Sequence, residues 1–317
     1  MEYKPSHSSL DSTLAAALHH SKHRKIIAIL GSSASGKTAL AHAMAREKDC
    51  EIFSLDSLSI YKEIDIASAK PTSLEQSQVR YHALNVLYPY EKSNAMLFYT
   101  LLCHTLATMP QDKPLLIVGG SSFFLKSIVQ GLSPMPSLDE YEPWVESLGD
   151  LQAQYALLCE IDKEYSQNIS PHDTYRIRKA LMLFKATSQP PSQYFATHAP
   201  SPFPLPLHIF ALDKPRDELR ADILKRCEYM LAQGIIDETR KVLERYGAHA
   251  PALQAIGTKE CVQFLQGRIE SVQALKQELF FHTCQLAKRQ RTFNRTQFPT
   301  ISILHKQDLE AQLLQLL

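Results

Sequence analysis

Gly31, Gly36, Lys37 and Thr38 stand in the spacing G-x-x-x-x-G-K-T, within "GSSASGKT". Glycines at both ends let the backbone turn tightly, so that successive amides can face one anion. With Ser32, Ser33, Ala34 and Ser35 between them, the segment is expected to cradle a phosphate chain. Lys37 would add a point charge at the outer phosphate, and the Thr38 hydroxyl would help hold Mg²⁺. Asp56 is the second candidate. It ends the apolar run "EIFSLD", and an acid there points into the crevice where such sheets bind ligands. Three readings of Asp56 stand open: a metal-shell acid, a general base aimed at a nucleophile, or the N-cap of a helix over "SLSIYKEI". The motif alone does not say which atom of the phosphate-bearing ligand is attacked.

These residues need elements to hold them. "KIIAIL", before Gly31, reads as a buried parallel strand. After Lys37, the residues Leu40, Ala43 and Met44 share a helical face. "EIFSLD" is a second strand, "MLFYTLLCHTLATM" a helix, "PLLIVGG" (114–120) a third strand and "FFLKSIVQGL" a helix. That alternation predicts an α/β fold with a parallel sheet, a P-loop NTPase-like core. "SPMPSLDEYEPW" is turn-rich, 143–188 reads as helices with no strand, and "HAPSPFPLPLH" is a Pro-rich connector. A strand at 209–213, helices through 295, a last strand at 300–304 and a closing helix at 307–317 follow. The expected organisation is a poorly ordered lead-in over 1–22 with one helical turn, a core over 23–133 and 202–317, and a helical insert over 134–201.

The chain has 317 residues and a net charge of +1, so any basic partner-binding surface is local. Six scattered cysteines include no CxxC pair, which argues against a zinc knuckle or a disulfide framework and fits a reducing cytoplasm. No uncharged apolar run reaches the ~18 residues of a membrane span. The first 25 residues lack the apolar core of a signal peptide.

"DSLSIYKEIDIASAKP" (56–71) resembles the D-S-x-x-x-Y-x-x-x-D-I-x-x-A-K-P block of tRNA dimethylallyltransferases. Other blocks follow in that family's order: "GSSASGKTAL" lies before it, and after it come "LLIVGGSSFFLKSIVQGL", "SPHDTYRIRKAL", "MLAQGIIDE", "LQAIGTKE" and "CQLAKRQRTFNR". The resemblance spans about 25–296. It implies transfer of a dimethylallyl group from its diphosphate to the N6 amine of the adenosine 3′ of the anticodon, in tRNAs reading codons that begin with U. Bond breaking would then occur at carbon, with the diphosphate departing on the amides of 33–38, Lys37 and Mg²⁺. Asp56 falls at the family's base position, Ser121 stands for its Thr, and Arg226 matches an arginine directed at the diphosphate. Ser121 also reads as a helix N-cap, and Arg226 as a solvated charge.

The partners implied are dimethylallyl diphosphate and a tRNA anticodon stem-loop, the protein a cytoplasmic monomer away from membranes. RNA contacts are expected at Asp56, Ser57, Leu58 and Ser59, at Tyr175, Arg176, Arg178, Lys179 and Lys185, and at Lys288, Arg289, Gln290, Arg291 and Arg295. Read without the family, the two basic stretches are solvated faces. The chain departs from the pattern at Asp222 (Arg), Thr258 (Tyr), Cys284 (Arg), Phe293 (Trp) and Met182 (Glu). Two other readings remain: an isopentenyltransferase acting on AMP or ATP, which needs no insert, and a P-loop small-molecule kinase. The two glycines where a kinase would carry an acidic strand end count mildly against the latter.

Overall fold

The computed structural model describes Ala17, Ser21, 23–298 and 300–317. Most of the expected lead-in therefore lies outside the described residues. Ala17 and Ser21, however, are helical and buried, and the Ser21 hydroxyl donates to the Leu106 carbonyl (3.3 Å). The described residues form two compact units, one drawn from 1–129 and 204–317, the other from 130–203.

The first unit is built on six parallel strands in the order β3-β2-β4-β1-β5-β6. They are β1 (Ile26–Gly31), β2 (Glu51–Ser54), β3 (Tyr81–His82), β4 (Leu115–Gly119), β5 (His208–Leu212) and β6 (Ser302–Leu304). β1 and β4 are buried along their whole length, which is why both read as unbroken apolar runs. β3 was not expected. It has two half-buried residues, too few for any periodicity to show, paired to Ile52 and Phe53.

Helix α1 (Lys37–Glu47) packs Leu40, Ala41 and Met44 against Ile27 and Ile29. The closing helix (Lys306–Leu316) adds Leu309 and Leu313 to the same core. A short α2 (Ser73–Gln78), capped by Thr72 and Glu75, also escaped the pattern reading. α3 (Ala95–Thr108) is started by Asn94, whose side chain accepts from the Leu97 amide (2.8 Å), and α4 (Ser122–Gln130) follows β4.

The second unit carries α5 (Glu142–Ser147), α6 (Leu151–Ile161), α7 (Lys163–Gln167), α8 (Thr174–Thr187) and α9 (Pro191–Thr197), with no strand. It starts four residues before the stretch marked in the sequence and ends two after it. Leu138, Val145, Leu158, Ile177, Leu181 and Tyr194 give it a core of its own. Met182 belongs to that core, which explains an apolar residue where the family carries a charge.

The chain returns to the first unit as α10 (Arg216–Ala232), α11 (Ile235–Tyr246), α12 (Thr258–Leu265), α13 (Val272–Gln297) and α14 (Lys306–Leu316). The six cysteines are all free. Among the described residues, no helix is long and apolar enough to cross a membrane.

Candidate active site

The turn between β1 and α1 takes two left-handed residues, Ala34 (φ 63°) and Gly36 (φ 92°), the second leading straight into α1. Within it the amides divide. Ser35 N donates to the Ser32 carbonyl (3.1 Å), and Ser33 N donates to Gln290 Oε1 (2.9 Å). The amides of Ala34, Gly36, Lys37 and Thr38 have no acceptor among the described residues. The free donors thus number four and not the whole run 33–38, and they stand at the positive end of an 11-residue helix. The Ser35 hydroxyl is buried without a partner among the described residues. A Cβ at Gly31 would come within 2.8 Å of it, so glycine keeps that space open.

Lys37 is half-buried and folds back on the loop, donating to the Ser32 carbonyl (3.3 Å). Burial pushes its ammonium down to about 8; Asp56 acts against the fall and Arg226 adds to it. Arg226, on α10, is also half-buried and has no hydrogen bond or ion pair among the described residues. Burial lowers its pKa too, and Asp56 again opposes. One carboxylate therefore acts on both cations. Asp222, where the family has arginine, pairs instead with Lys214.

Asp56 lies just past β2. Its Oδ1 accepts from the amides of Leu58 (2.9 Å) and Ser59 (3.1 Å). No helix follows, so the expected N-cap is in fact a turn closed by the same atoms. The bonds hold the carboxylate in one orientation and leave Oδ2 without a partner among the described residues. The turn buries Leu58 and Ser59 and leaves Asp56 half-buried and Ser57 exposed.

The Ser121 Oγ accepts from the Ser57 amide (3.1 Å), and Ser121 N donates to the Leu55 carbonyl (3.3 Å). Its hydroxyl makes no bond to the first turn of α4, so the capping role is not realised. The hydroxyl proton stays free to be donated. At Gly119 a Cβ would overlap the Leu55 carbonyl, so β4 and β2 end with backbone against backbone.

The basic stretches turn out to be largely engaged. In the second unit Arg178 pairs with Glu146 (2.9 Å) and Glu142 (3.8 Å), Lys179 with Asp139 (3.9 Å) and Arg176 with Asp173 (3.5 Å). Lys185 lies over the Trp144 ring, while Tyr175 is 72% exposed. On α13, Arg291 and Arg295 both reach Asp213, at 2.7 and 3.5 Å. Lys288 and Arg289 are exposed and have no ion pair among the described residues. Gln290 points inward: besides taking the Ser33 amide, its Nε2 donates to the Gly120 carbonyl (2.9 Å).

Most of the departures have local explanations. Thr258 is fully buried and donates to the Ala252 carbonyl (2.8 Å). Phe293 packs edge-on against Phe123 and Phe298. Nothing in the structure explains Cys284.

Sequence reasoning assigned no role to Glu238. Its carboxylate accepts from the amides of Asp65 (2.7 Å), Ile66 (2.8 Å) and Ala67 (3.0 Å), which fixes the loop that follows Asp56. The "MLAQGIIDE" block contained it, but an acid in the first turn of a helix signals dipole compensation before it signals a remote loop.

A tRNA dimethylallyltransferase of Helicobacter hepaticus is 62% identical over 294 residues, 92% of this chain and 97% of the relative. One from Helicobacter pylori is 44% identical over 282 residues, 88% of this chain and 90% of the relative. The fold matches that of a eukaryotic dimethylallyltransferase acting on tRNA, with TM-score 0.78 at 22% identity over 90% of this chain and 75% of that one. Residues 59–297 match the model of the IPP transferases, and the chain belongs to that family.

Proposed function

We propose that this protein transfers a dimethylallyl group from dimethylallyl diphosphate to the exocyclic N6 of the adenosine 3′ of the anticodon, in tRNAs reading codons that begin with U. The observation that carries the proposal is the loop at the start of α1, where the amides of Ala34, Gly36, Lys37 and Thr38 and the buried Ser35 hydroxyl have no partner among the described residues, together with an Asp56 carboxylate held through Oδ1 alone. The N6 lone pair forms a bond to the allylic carbon, and the carbon–oxygen bond breaks. The electron pair leaves with the diphosphate, and the N6 proton passes to Asp56 Oδ2. Charge growing on the departing oxygen meets the amides of Ala34, Gly36, Lys37 and Thr38, the Lys37 ammonium and the Arg226 guanidinium. Ser121, bonded to the Ser57 amide beside Asp56, directs its free proton toward the acid or the diphosphate.

Mg²⁺ fits this set of donors. It takes one or two protein oxygens, several waters and the substrate's phosphates. The Thr38 hydroxyl and the orphaned Ser35 hydroxyl are the oxygens on offer, and no cluster of three acidic, His or Cys side chains exists among the described residues. The ion would neutralise diphosphate charge.

The acceptor must leave its stack to reach the acid, which favours an anticodon loop with splayed bases. Lys288 and Arg289 are the cations for its backbone. Tyr175 offers a ring for stacking, and the partnered Arg176, Arg178 and Lys179 follow it in sequence. The relatives' names favour RNA over a free nucleotide. We assign the protein to the cytoplasm, where its RNA substrate is found.

The test is a competition. Protein, Mg²⁺ and labelled dimethylallyl diphosphate are mixed with tRNA and AMP in one tube. Label in the tRNA's anticodon loop is expected. Label in AMP with inert tRNA, or phosphate transfer from added ATP, would overturn the proposal.

A further inference from the structure

We infer that Gln290 is a positioning residue for this reaction, a brace that sets the distance between the anion cradle and the wall carrying Asp56 and Ser121. The inference rests on the proposed function for its kinetic part and on geometry alone for the brace. Gln290 projects from α13, far from both walls in sequence. Its Oε1 accepts from Ser33 N and its Nε2 donates to the Gly120 carbonyl, both at 2.9 Å. The two partners fix the amide's orientation, because only one arrangement satisfies a donor on one side and an acceptor on the other. The cradle docks on the same helix one turn earlier, where the Ser32 hydroxyl donates to the Ala287 carbonyl (3.2 Å).

From Gly120 the linkage continues without a gap. The next residue, Ser121, donates its amide to the Leu55 carbonyl and accepts the Ser57 amide, bracketing Asp56. Gly120 itself has to be glycine for this, since a Cβ would strike Gln290 Nε2. A chain of hydrogen bonds thus runs from the loop that holds the leaving group to the carboxylate that takes the proton, and Gln290 is the side chain of α13 that joins its two ends. A residue so engaged is not available to an RNA, unlike the exposed Lys288 and Arg289 beside it in sequence.

Catalysis that depends on two walls is sensitive to their spacing, and a displacement of about 1 Å can cost about 10²-fold in rate. Gln290→Met keeps the length of the side chain and removes both hydrogen bonds. Its kcat is expected to fall roughly 10- to 100-fold, with KM for dimethylallyl diphosphate and tRNA affinity each within about threefold of wild type. Gln290→Glu keeps an acceptor for Ser33 but sets a carboxylate against the Gly120 carbonyl, so it is not expected to restore kcat.

Hydrogen exchange supplies a readout free of any substrate. The Ser33 amide should exchange at least about tenfold faster in Gln290→Met, with the melting temperature within about 3 °C of wild type. Unchanged exchange at Ser33 would sink the brace, whatever the kinetics show. So would a kcat within twofold of wild type, a loss confined to tRNA affinity, or a drop in kcat matched by the loss of folded protein. A wild-type protein that leaves tRNA unmodified would instead defeat the functional proposal, and the exchange measurement would still judge the brace.

Discussion

On the proposed function, the Lys37 ammonium is expected to set the pH range over which the loop holds a diphosphate. Burial pushes its pKa down to about 8, whereas an ordinary lysine near 10.4 stays charged past about pH 9. At about pH 7 roughly nine-tenths of Lys37 is therefore charged, and at about pH 9 roughly one-tenth. The direction is fixed by those fractions. Diphosphate affinity is full below about 8 and falls as pH rises through it, reaching roughly tenfold, or about 1.4 kcal/mol, by about pH 9. Without ligand the same shift acts on folding: the cost of burying the charged form is present below about 8 and is relieved as pH climbs toward the unfolded value of 10.5. Lys37→Arg keeps its charge throughout, so its affinity, whatever its absolute level, should be flat. Calorimetric titration of inorganic diphosphate with Mg²⁺ at about pH 7, 8 and 9 measures both, and buffers of different ionisation heat report the proton taken up above pH 8. A flat wild-type profile to pH 9, or a Lys37→Arg profile falling in parallel, would refute the assignment.

Asp56→Asn keeps an acceptor for the Leu58 and Ser59 amides and removes the proposed base; turnover should fall by roughly 10²-fold or more while diphosphate binding holds or tightens. Equal loss of both would make Asp56 a metal or structural group. Lys288→Ala with Arg289→Ala should weaken tRNA binding and flatten its salt dependence by about 1.4 logarithmic units per decade, for two released counterions on single-stranded RNA. An unchanged salt slope would return that segment to an ordinary solvated face. Glu238→Ala leaves the amides of Asp65, Ile66 and Ala67 unpaired and should cost about 2 kcal/mol or more of stability in chemical denaturation. A change below about 0.5 kcal/mol would show that water replaces the carboxylate.

Much of the frame could be read from the chain because it is written in local patterns. β1 and β4 are buried on both faces and appear as apolar runs, and the glycine-lysine turn between β1 and α1 has a spacing of its own. β3 could not be seen, because two residues carry no period. What the pattern could not supply are the contacts between distant positions. Gln290 reads in the sequence as one of the RNA contacts of a basic stretch, yet it is spoken for by Ser33 and Gly120. Arg291 and Arg295 looked free until Asp213, at the end of β5, came to meet them. Charge can be counted in a sequence, but whether a charge is already neutralised depends on which strand end lies beneath it.

The close approach of Gly119 to Leu55 has a consequence for how the protein tolerates change. The peptide it presses on immediately precedes Asp56, so a single added methyl would be absorbed by shifting the Asp56 carboxylate as well as by parting two strands. If Asp56 acts as proposed, position 119 is a mutational bottleneck in which a core substitution would register as an enzymatic defect, even in protein that still folds, although no substrate atom need ever come near it.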